Sequence, residues 1–210
     1  AGERAYELAV AADDADVQAM ALMDLATQSA YAGRHEEAAR YEATFAALVE
    51  RTRSVTGRAS LAYVRGECRV ERGGADAPRY LEEAVTVAEE AELSFAAGIA
   101  RHTLVTSSAR AVGDPAAVLP TFGPLIDHWH GFGSWTQLWM AVRVLAETLS
   151  RLGCHREATV LLGALAASPR ASRVYGSDSR RIDAVEAAAR RALGDTFEAC
   201  RAEGAALGDV

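Results

Sequence analysis

The chain has 210 residues; half are hydrophobic and 24% are charged, a balance typical of a globular protein rather than a disordered one. The formal net charge of −7 argues against a surface dedicated to nucleic acid, because phosphate neutralisation needs clustered cations. Three widely spaced cysteines form no CxxC motif, and no apolar run is long enough to span a bilayer. We therefore expect a cytoplasmic protein without a disulfide framework, a zinc knuckle, a bound cofactor or a membrane segment.

The opening residues, AGERAYELAV, resemble the interior of a helix and do not begin with methionine. A charged segment followed by an apolar one, as in a secretory signal, does not occur here. This opening indicates that the chain is a fragment of a longer protein.

Four glycines recur at every fortieth position of the sequence: Gly33, Gly73, Gly113 and Gly153. Each ends one stretch of helical apolar periodicity, and a second stretch begins within a few residues. Glycine suits the left-handed conformation that closes an α-helix. Seven residues before the glycines stand small or short side chains, namely Ala26, Gly66, Thr106 and Ala146. The pattern predicts four pairs of antiparallel helices over residues 1–166, in which the small residue lets the second helix approach closely.

The last repeat shows the helical periodicity best. Its first helix carries apolar residues at helical spacing, namely Leu138, Val142, Leu145, Leu149 and Leu152. One helix pair cannot bury such a stripe alone, so stacked neighbours must supply the core.

The third repeat is irregular in its second half, because Pro120 and the Gly123-Pro124 pair interrupt it. An interior proline removes a hydrogen bond and kinks a helix. The sequence therefore predicts a short helix at about residues 115–119 and another from Pro124 to His130.

The stretch DHWHGFGSWTQLW, residues 127–139, concentrates histidine, tryptophan and glycine. His128 and His130 are two residues apart, which on a helix turns them to different faces and prevents them from chelating one metal ion. We interpret Trp129 as the end of one helix, GFG as the turn, and Ser134 with Gln137 as a capping box for the next helix. The stretch is predicted to be a loop without catalytic or metal-binding function.

Isolated histidines and cysteines elsewhere carry no chemistry in this interpretation. His35 and His155 occupy the same position after a turn glycine, which favours a solvent-facing site. Cys68 lies in an alanine-rich helix and is expected to be a buried, inert thiol.

Residues 167–210 depart from the repeat pattern. A polar loop is followed by two predicted helices, which begin near Ser179 and Asp195. We expect these helices to cap the C-terminal end of the array.

The segments GRHEEA and GCHREA, together with the offset of seven from small residue to glycine, resemble the tetratricopeptide-repeat (TPR) superfamily. The 40-residue interval departs from the usual period of about 34 residues, and Pro78 stands where the family has alanine. The resemblance implies an all-α fold, a right-handed superhelix of TPR-like antiparallel helix pairs with C-terminal capping helices.

Residues 80–207 are similar to the C-terminal region of large actinobacterial ATP-binding transcriptional regulators of the LuxR and AfsR types. The similarity is carried by Trp129, Trp135, Leu152-Gly153 and Leu193-Gly194. It implies a non-catalytic interaction or sensor module of a transcriptional regulator or signal-transduction ATPase, whose nucleotide-binding and DNA-binding parts lie elsewhere. The expected partner is a protein, a peptide or another domain of the same chain, with a small-molecule effector as a further option, and with no nucleic acid or membrane bound directly.

The TPR resemblance also places candidate binding residues on the concave face formed by the first helices. These are Tyr31, Tyr63, Glu67, Glu71, Arg110, Arg143, Glu147 and Arg151, with Met20, Met23, Thr103 and Ser107 at further inward positions. Charges of both signs beside tyrosines suit the capture of a peptide or a small polar ligand. The alternative is an ordinary solvated helix face.

Two other functional classes stay open at this point. One is a free-standing TPR scaffold that bridges partner proteins. The other is an enzyme on an all-α fold, which would need converging acid, base and ligand groups that the sequence does not display. The phosphate-binding GxxxxGK[ST], the GxSxG nucleophile elbow and the HExxH motif do not occur.

Overall fold

The computed structural model describes residues 2–111, 113–171 and 176–207, and these residues are all-helical with no β-strand, as predicted. The α-helices are α1 (Gly2–Ala11), α2 (Ala15–Tyr31), α3 (His35–Thr52), α4 (Val55–Glu71), α5 (Ala77–Glu90), α6 (Ser94–Arg110), α7 (Leu119–Phe132), α8 (Trp135–Arg151), α9 (His155–Ala167), α10 (Gly176–Leu193) and α11 (Phe197–Ala206). Short 3-10 helices cover Pro115–Val118 and Gly194–Thr196. Within the described ranges, the helices lack the combination of length and apolarity that a bilayer span requires.

Four helices have the same length of 17 residues, namely α2, α4, α6 and α8. Their first residues, Ala15, Val55, Ser94 and Trp135, are almost evenly spaced along the chain, at nearly the interval of the glycines. Gly33, Gly73 and Gly153 follow three of these helices and have left-handed φ values of 73°, 69° and 77°. Gly113 follows α6 beside Val112, which lies outside the described residues, so its left-handed turn stays a prediction.

The alternate turns also use left-handed backbone, but mostly without glycine. Asp13, Arg53 and Glu92 have φ values of 52°, 54° and 56° and precede α2, α4 and α6, and Gly133 with φ 70° precedes α8. The Arg53 amide donates to the Val49 carbonyl oxygen at 2.8 Å, which closes α3. Both kinds of turn therefore recur at nearly the same interval along the chain.

The chain divides into two compact units, Ala1–Leu104 and Val105–Val210, and the boundary lies within α6. In the first unit, α2, α3 and α4 share a core whose largest fully buried members are Leu22, Phe45 and Val64. Small residues let the helices approach, as the periodicity predicts. A Cβ atom at Gly66 would lie only 2.5 Å from Leu81 Cδ2 of α5.

In the second unit, α9 packs against α8, α10 and α11. Ala146 of α8 and Ala158 of α9 are fully buried, and they form a cluster with Leu162 of α9 and Val185 of α10. The helix α10 begins at Gly176, three residues before the predicted Ser179, and the polar loop before it includes residues 172–175, which lie outside the described residues. The α10 and α11 helices therefore bury apolar surface of α9.

The crossing of α9 and α11 depends on two glycines. A Cβ atom at Gly204 would lie 2.7 Å from the carbonyl carbon of Val160, and one at Gly163 would lie 3.0 Å from the backbone nitrogen of Ala205. The nearest neighbours, the Val160 and Arg201 carbonyl oxygens, would be closer still. The two helices consequently meet backbone against backbone.

The short helix predicted at about residues 115–119 is present as the 3-10 helix Pro115–Val118, but the predicted break before Pro124 is wrong, because α7 begins at Leu119 and runs without interruption through Pro124. Pro120 lies in the first turn of α7, where a backbone N–H has no intrahelical partner and its loss costs little. Pro124 removes one interior hydrogen bond, while burial of Phe122, Leu125 and Trp129 on one side holds the helix in place.

Residues 127–139 contain the end of one helix, a turn and the start of the next helix at Ser134, as predicted, but the connection is shorter than a loop, since α7 continues to Phe132 and α8 begins at Trp135. Gly133 is the left-handed residue between them. Ser134 forms no capping box, because its hydroxyl donates to Gln137 Oε1 at 2.6 Å instead of accepting from a backbone amide. Trp129 is fully buried within α7 rather than at its end.

Candidate functional site

The first group of candidate residues meets around the Glu67 carboxylate, and we call Tyr31, Tyr63, Glu67 and Thr103 the Glu67 cluster. The hydroxyl of Tyr31, at the end of α2, donates to Glu67 Oε2 at 3.0 Å. Tyr63, one turn before Glu67 on α4, donates to Oε1 at 2.9 Å, and Thr103 of α6 donates to the same oxygen at 2.6 Å. Three residues of the first unit, one each from α2, α4 and α6, therefore place hydroxyl donors on one carboxylate, whose residue is 7% exposed.

The tyrosine hydroxyls of the Glu67 cluster stay protonated. Desolvation of the hydroxyl group raises the pKa of both Tyr31 and Tyr63, although the Tyr31 residue as a whole is exposed, and the negative charge of Glu67 raises it further. Glu71, one turn after Glu67 on α4, adds its own charge to the effect on the pKa of Tyr31. Both tyrosine hydroxyls therefore remain hydrogen-bond donors at neutral pH and at moderately alkaline pH.

The Glu67 carboxylate has no ion pair within the described ranges. The two arginines nearest to it on α4, Arg65 and Arg69, bind Glu42 of α3 at 3.2 Å and 3.4 Å. Arg69 also binds Asp76 at 3.1 Å. Arg65 and Arg69 are therefore engaged by Glu42 and Asp76 rather than by Glu67, and the hydroxyls that surround Glu67 carry no charge.

The second group lies in the Val105–Val210 unit, and we call Arg110, Glu147, Asp178 and Arg181 the Arg110 cluster. Arg110 donates to both carboxylate oxygens of Glu147, at 3.1 Å and 2.9 Å, and to Asp178 Oδ1 at 3.1 Å. Arg181 donates to the same Asp178 oxygen at 2.8 Å. Burial opposes the charge on Arg110, yet its bonds to Glu147 and Asp178 raise its pKa above the ordinary value.

Two further candidate arginines have other surroundings. Arg143 is 8% exposed, and burial lowers its pKa. Arg151 binds the backbone carbonyl oxygens of Ala109 and Ala111, the latter at 3.2 Å. Arg151 is exposed at the surface, and its guanidinium group holds the end of α6.

The two methionines among the inward positions do not join either cluster. Met20 is 63% exposed, and with the half-buried Met23 it lines a shallow groove of about 280 Å³ between α2, α3 and the start of α4. Leu48 and Val49 form the floor of this groove. The predicted inward positions consequently include polar clusters and an apolar groove.

His128 and His130 contact different aromatic rings, in agreement with their helical spacing. The His128 ring stacks on Phe132 at 6.0 Å, whereas the His130 ring meets the edge of Trp135 at 5.7 Å. The described residues contain no group of three or more His, Cys, Asp or Glu side chains that could hold a metal ion.

His35 and His155 are not solvent-facing as predicted. Both are half-buried at the first position of α3 and α9, and the Nδ1 atom of each is buried without a hydrogen bond among the described residues. One edge of each imidazole ring is therefore enclosed by the protein. Cys68 is 1% exposed, and burial raises the pKa of its thiol to about 11.

Sequence reasoning missed Asp178 and Arg181, because they belong to α10 and not to a first helix of a repeat. Their spacing of three residues with opposite charges is the only local indication of an interaction.

The chain matches no protein-family model, no curated protein and no solved structure. Inference about its function therefore rests on the two clusters.

Proposed function

We propose that the chain is a non-catalytic protein–protein interaction module, a TPR-like right-handed superhelix within a larger bacterial transcriptional regulator or signal-transduction ATPase. One observation carries the proposal. In each of the two clusters, a candidate residue binds another that lies 36 or 37 positions away on the next first helix. Tyr31 binds Glu67 in the Glu67 cluster, and Arg110 binds Glu147 in the Arg110 cluster. These spacings are three or four residues, one helical turn, short of the 40-residue interval, so neighbouring turns of successive first helices meet, as expected when such helices stack side by side.

The helix pattern supports the repeat part of the proposal. The four helices of equal length and both kinds of left-handed turn recur at nearly the same interval along the chain. Helical arrays of this kind bind partners on the face that their first helices form, because that face is continuous over several repeats.

The charges of the two clusters favour a peptide or a protein segment as the partner. The Glu67 cluster presents an anionic group beside two aromatic rings, and the Arg110 cluster presents guanidinium groups with two carboxylates. A peptide offers both complementary charges and amide groups to such clusters. Another domain of the same full-length protein could supply such a segment.

A peptide-display selection tests the interaction module. The immobilised chain is offered a random-sequence library, and selected peptides are compared on the wild type, Glu67→Gln and Arg110→Gln. Glu50→Gln and Arg58→Gln, at exposed positions of α3 and α4, serve as matched controls. We expect binding to weaken by about tenfold in a cluster variant, the effect of losing one charge-assisted bond, with unchanged helicity by circular dichroism.

Two outcomes of this selection contradict the module. If no peptide is enriched, or if the enriched peptides bind all four variants equally well, the clusters are structural and not a binding face.

The genomic context tests the regulator part separately. A GxxxxGK[ST] motif and a helix-turn-helix module in the same reading frame would support it. A start codon directly before Ala1 and a stop codon after Val210 would contradict it and would favour the free-standing scaffold.

A further inference from the structure

We infer that the Glu67 cluster receives an organic cation, an ammonium or guanidinium group presented by a side chain of the partner. This inference rests on the proposed interaction module and names the chemistry that one part of it recognises. The observation behind it is a glutamate that is 7% exposed and has no counter-charge in the part of the chain that the structure describes.

Buried charges in proteins are normally paired with an opposite charge, because removal of a carboxylate from water is costly. The three hydroxyls around Glu67 offset part of this cost through hydrogen bonds but leave the net charge unchanged. An ionised carboxylate offers about four lone-pair positions, so three donors leave one position unused. The Glu67 cluster can therefore accept one more donor, and a cationic donor would gain most.

The Tyr31 side chain connects the buried Glu67 carboxylate with the protein surface. The tyrosine is 57% exposed although its hydroxyl binds the buried Glu67, so its ring extends from the carboxylate toward solvent. The face of a tyrosine ring attracts ammonium and guanidinium groups. A long cationic side chain could lie along the Tyr31 ring and place its head group at Glu67, with Glu71 adding negative charge one turn away on α4.

The same geometry argues against other ligands. An anion would be repelled by Glu67, whose own helix directs Arg65 and Arg69 to Glu42. A calcium or magnesium ion takes six or more oxygen ligands, whereas the cluster offers one carboxylate whose oxygens already accept three hydrogen bonds. A flexible cationic side chain needs only one carboxylate and one ring.

Nuclear magnetic resonance with labelled tyrosine tests the inference. The chain has six tyrosines, so the Tyr31 and Tyr63 ring signals are assigned from single Tyr→Phe variants. The probes are N-acetyl-arginine amide and N-acetyl-lysine amide, with N-acetyl-glutamine amide as the neutral control. We expect saturable shifts of the Tyr31 ring signals with the two cations, weakened by added salt, and none with the neutral probe.

Variants locate the response. Glu67→Gln should weaken cation binding by about tenfold, the loss of one charge-assisted contact, while Glu50→Gln should leave it unchanged. Tyr31→Ala, in which binding is followed through the Tyr63 ring signals, removes an exposed ring without opening the core and should weaken binding as well, which keeps the test decisive if Glu67→Gln unfolds. The inference is overturned if the cations cause no saturable shift, or if the Tyr31→Ala variant binds them as tightly as the wild type.

The two proposals can fail independently. Peptides whose binding depends on Arg110 alone, together with no cation response at Tyr31, would overturn the cation site and leave the interaction module supported. A saturable cation response without any selected peptide would support the cation site and count against the module.

Discussion

Replacement of Gly204 by alanine should destabilise the Val105–Val210 unit, because it adds a methyl group where α11 meets the backbone of α9. The new Cβ atom would lie 2.7 Å from the carbonyl carbon of Val160 and 3.0 Å from the backbone nitrogen of Ala164. Side chains can rotate away from such a contact, but backbone atoms cannot. The helices must separate.

The required separation sets the magnitude. Ordinary contacts begin at 3.4 Å, so the Val160 carbonyl carbon must move by at least 0.7 Å, and the closer carbonyl oxygen must move further. Overpacking of this kind costs about 1–3 kcal/mol, and we expect the upper end because only backbone movement relieves the clash. The higher helix propensity of alanine returns about 1 kcal/mol. The free energy of unfolding should therefore fall by about 2 kcal/mol.

Urea unfolding followed by tryptophan fluorescence measures this change. All three tryptophans lie in the second unit, so the signal reports on that unit. The matched control is Gly131→Ala, at a helical position of α7 with open space around the added Cβ atom. The control should be stabilised by about 0.4–1 kcal/mol. If Gly204→Ala unfolds at the same urea concentration as the control, the backbone crossing is not as close as described.

Three further predictions concern single turns and the buried thiol. Gly153→Ala, at φ 77°, should lower the free energy of unfolding by about 1 kcal/mol in the same urea assay, and an unchanged midpoint would contradict the left-handed turn. Ser54→Ala should cost about 1 kcal/mol by thermal unfolding, because its hydroxyl caps α4, whereas Ser134→Ala should be near neutral since that hydroxyl caps no amide. Cys68, with a pKa of about 11, should react with iodoacetamide at pH 8 far more slowly in the native protein than in urea; equal rates would refute its burial.

The glycine-based turns were predictable from sequence because glycine is the residue that most readily adopts left-handed backbone. Asp13, Arg53 and Glu92 adopt the same conformation; aspartate is enriched in it, but the identities of Arg53 and Glu92 give no indication of it. Surrounding helices impose this conformation on them, which is a tertiary effect. The α7 helix is a similar case, because burial of Trp129 outweighs the interruption at Pro124.

The candidate site likewise contains residues that the sequence predicts and residues that only tertiary packing brings in. The first-helix positions of Tyr31, Glu67 and Arg110 follow from the repeat interval. Asp178 reaches Arg110 from α10, 68 residues further along the chain, and only the packing of α10 against α8 and α9 sets that contact. Periodicity within a sequence cannot report a partner that lies outside the period.

The non-glycine residues in the alternate turns also mean that the chain does not have the highest stability its fold permits. A left-handed residue other than glycine lowers stability by about 1–2 kcal/mol, and aspartate lowers it by less. Glycine avoids this cost, but its greater conformational freedom in the unfolded chain offsets part of the gain. Glycine at Arg53 or Glu92 should therefore raise the melting temperature, while Asp13 offers less. Natural selection needs only enough stability for function, and these two turns are where laboratory evolution of a more heat-resistant form would begin.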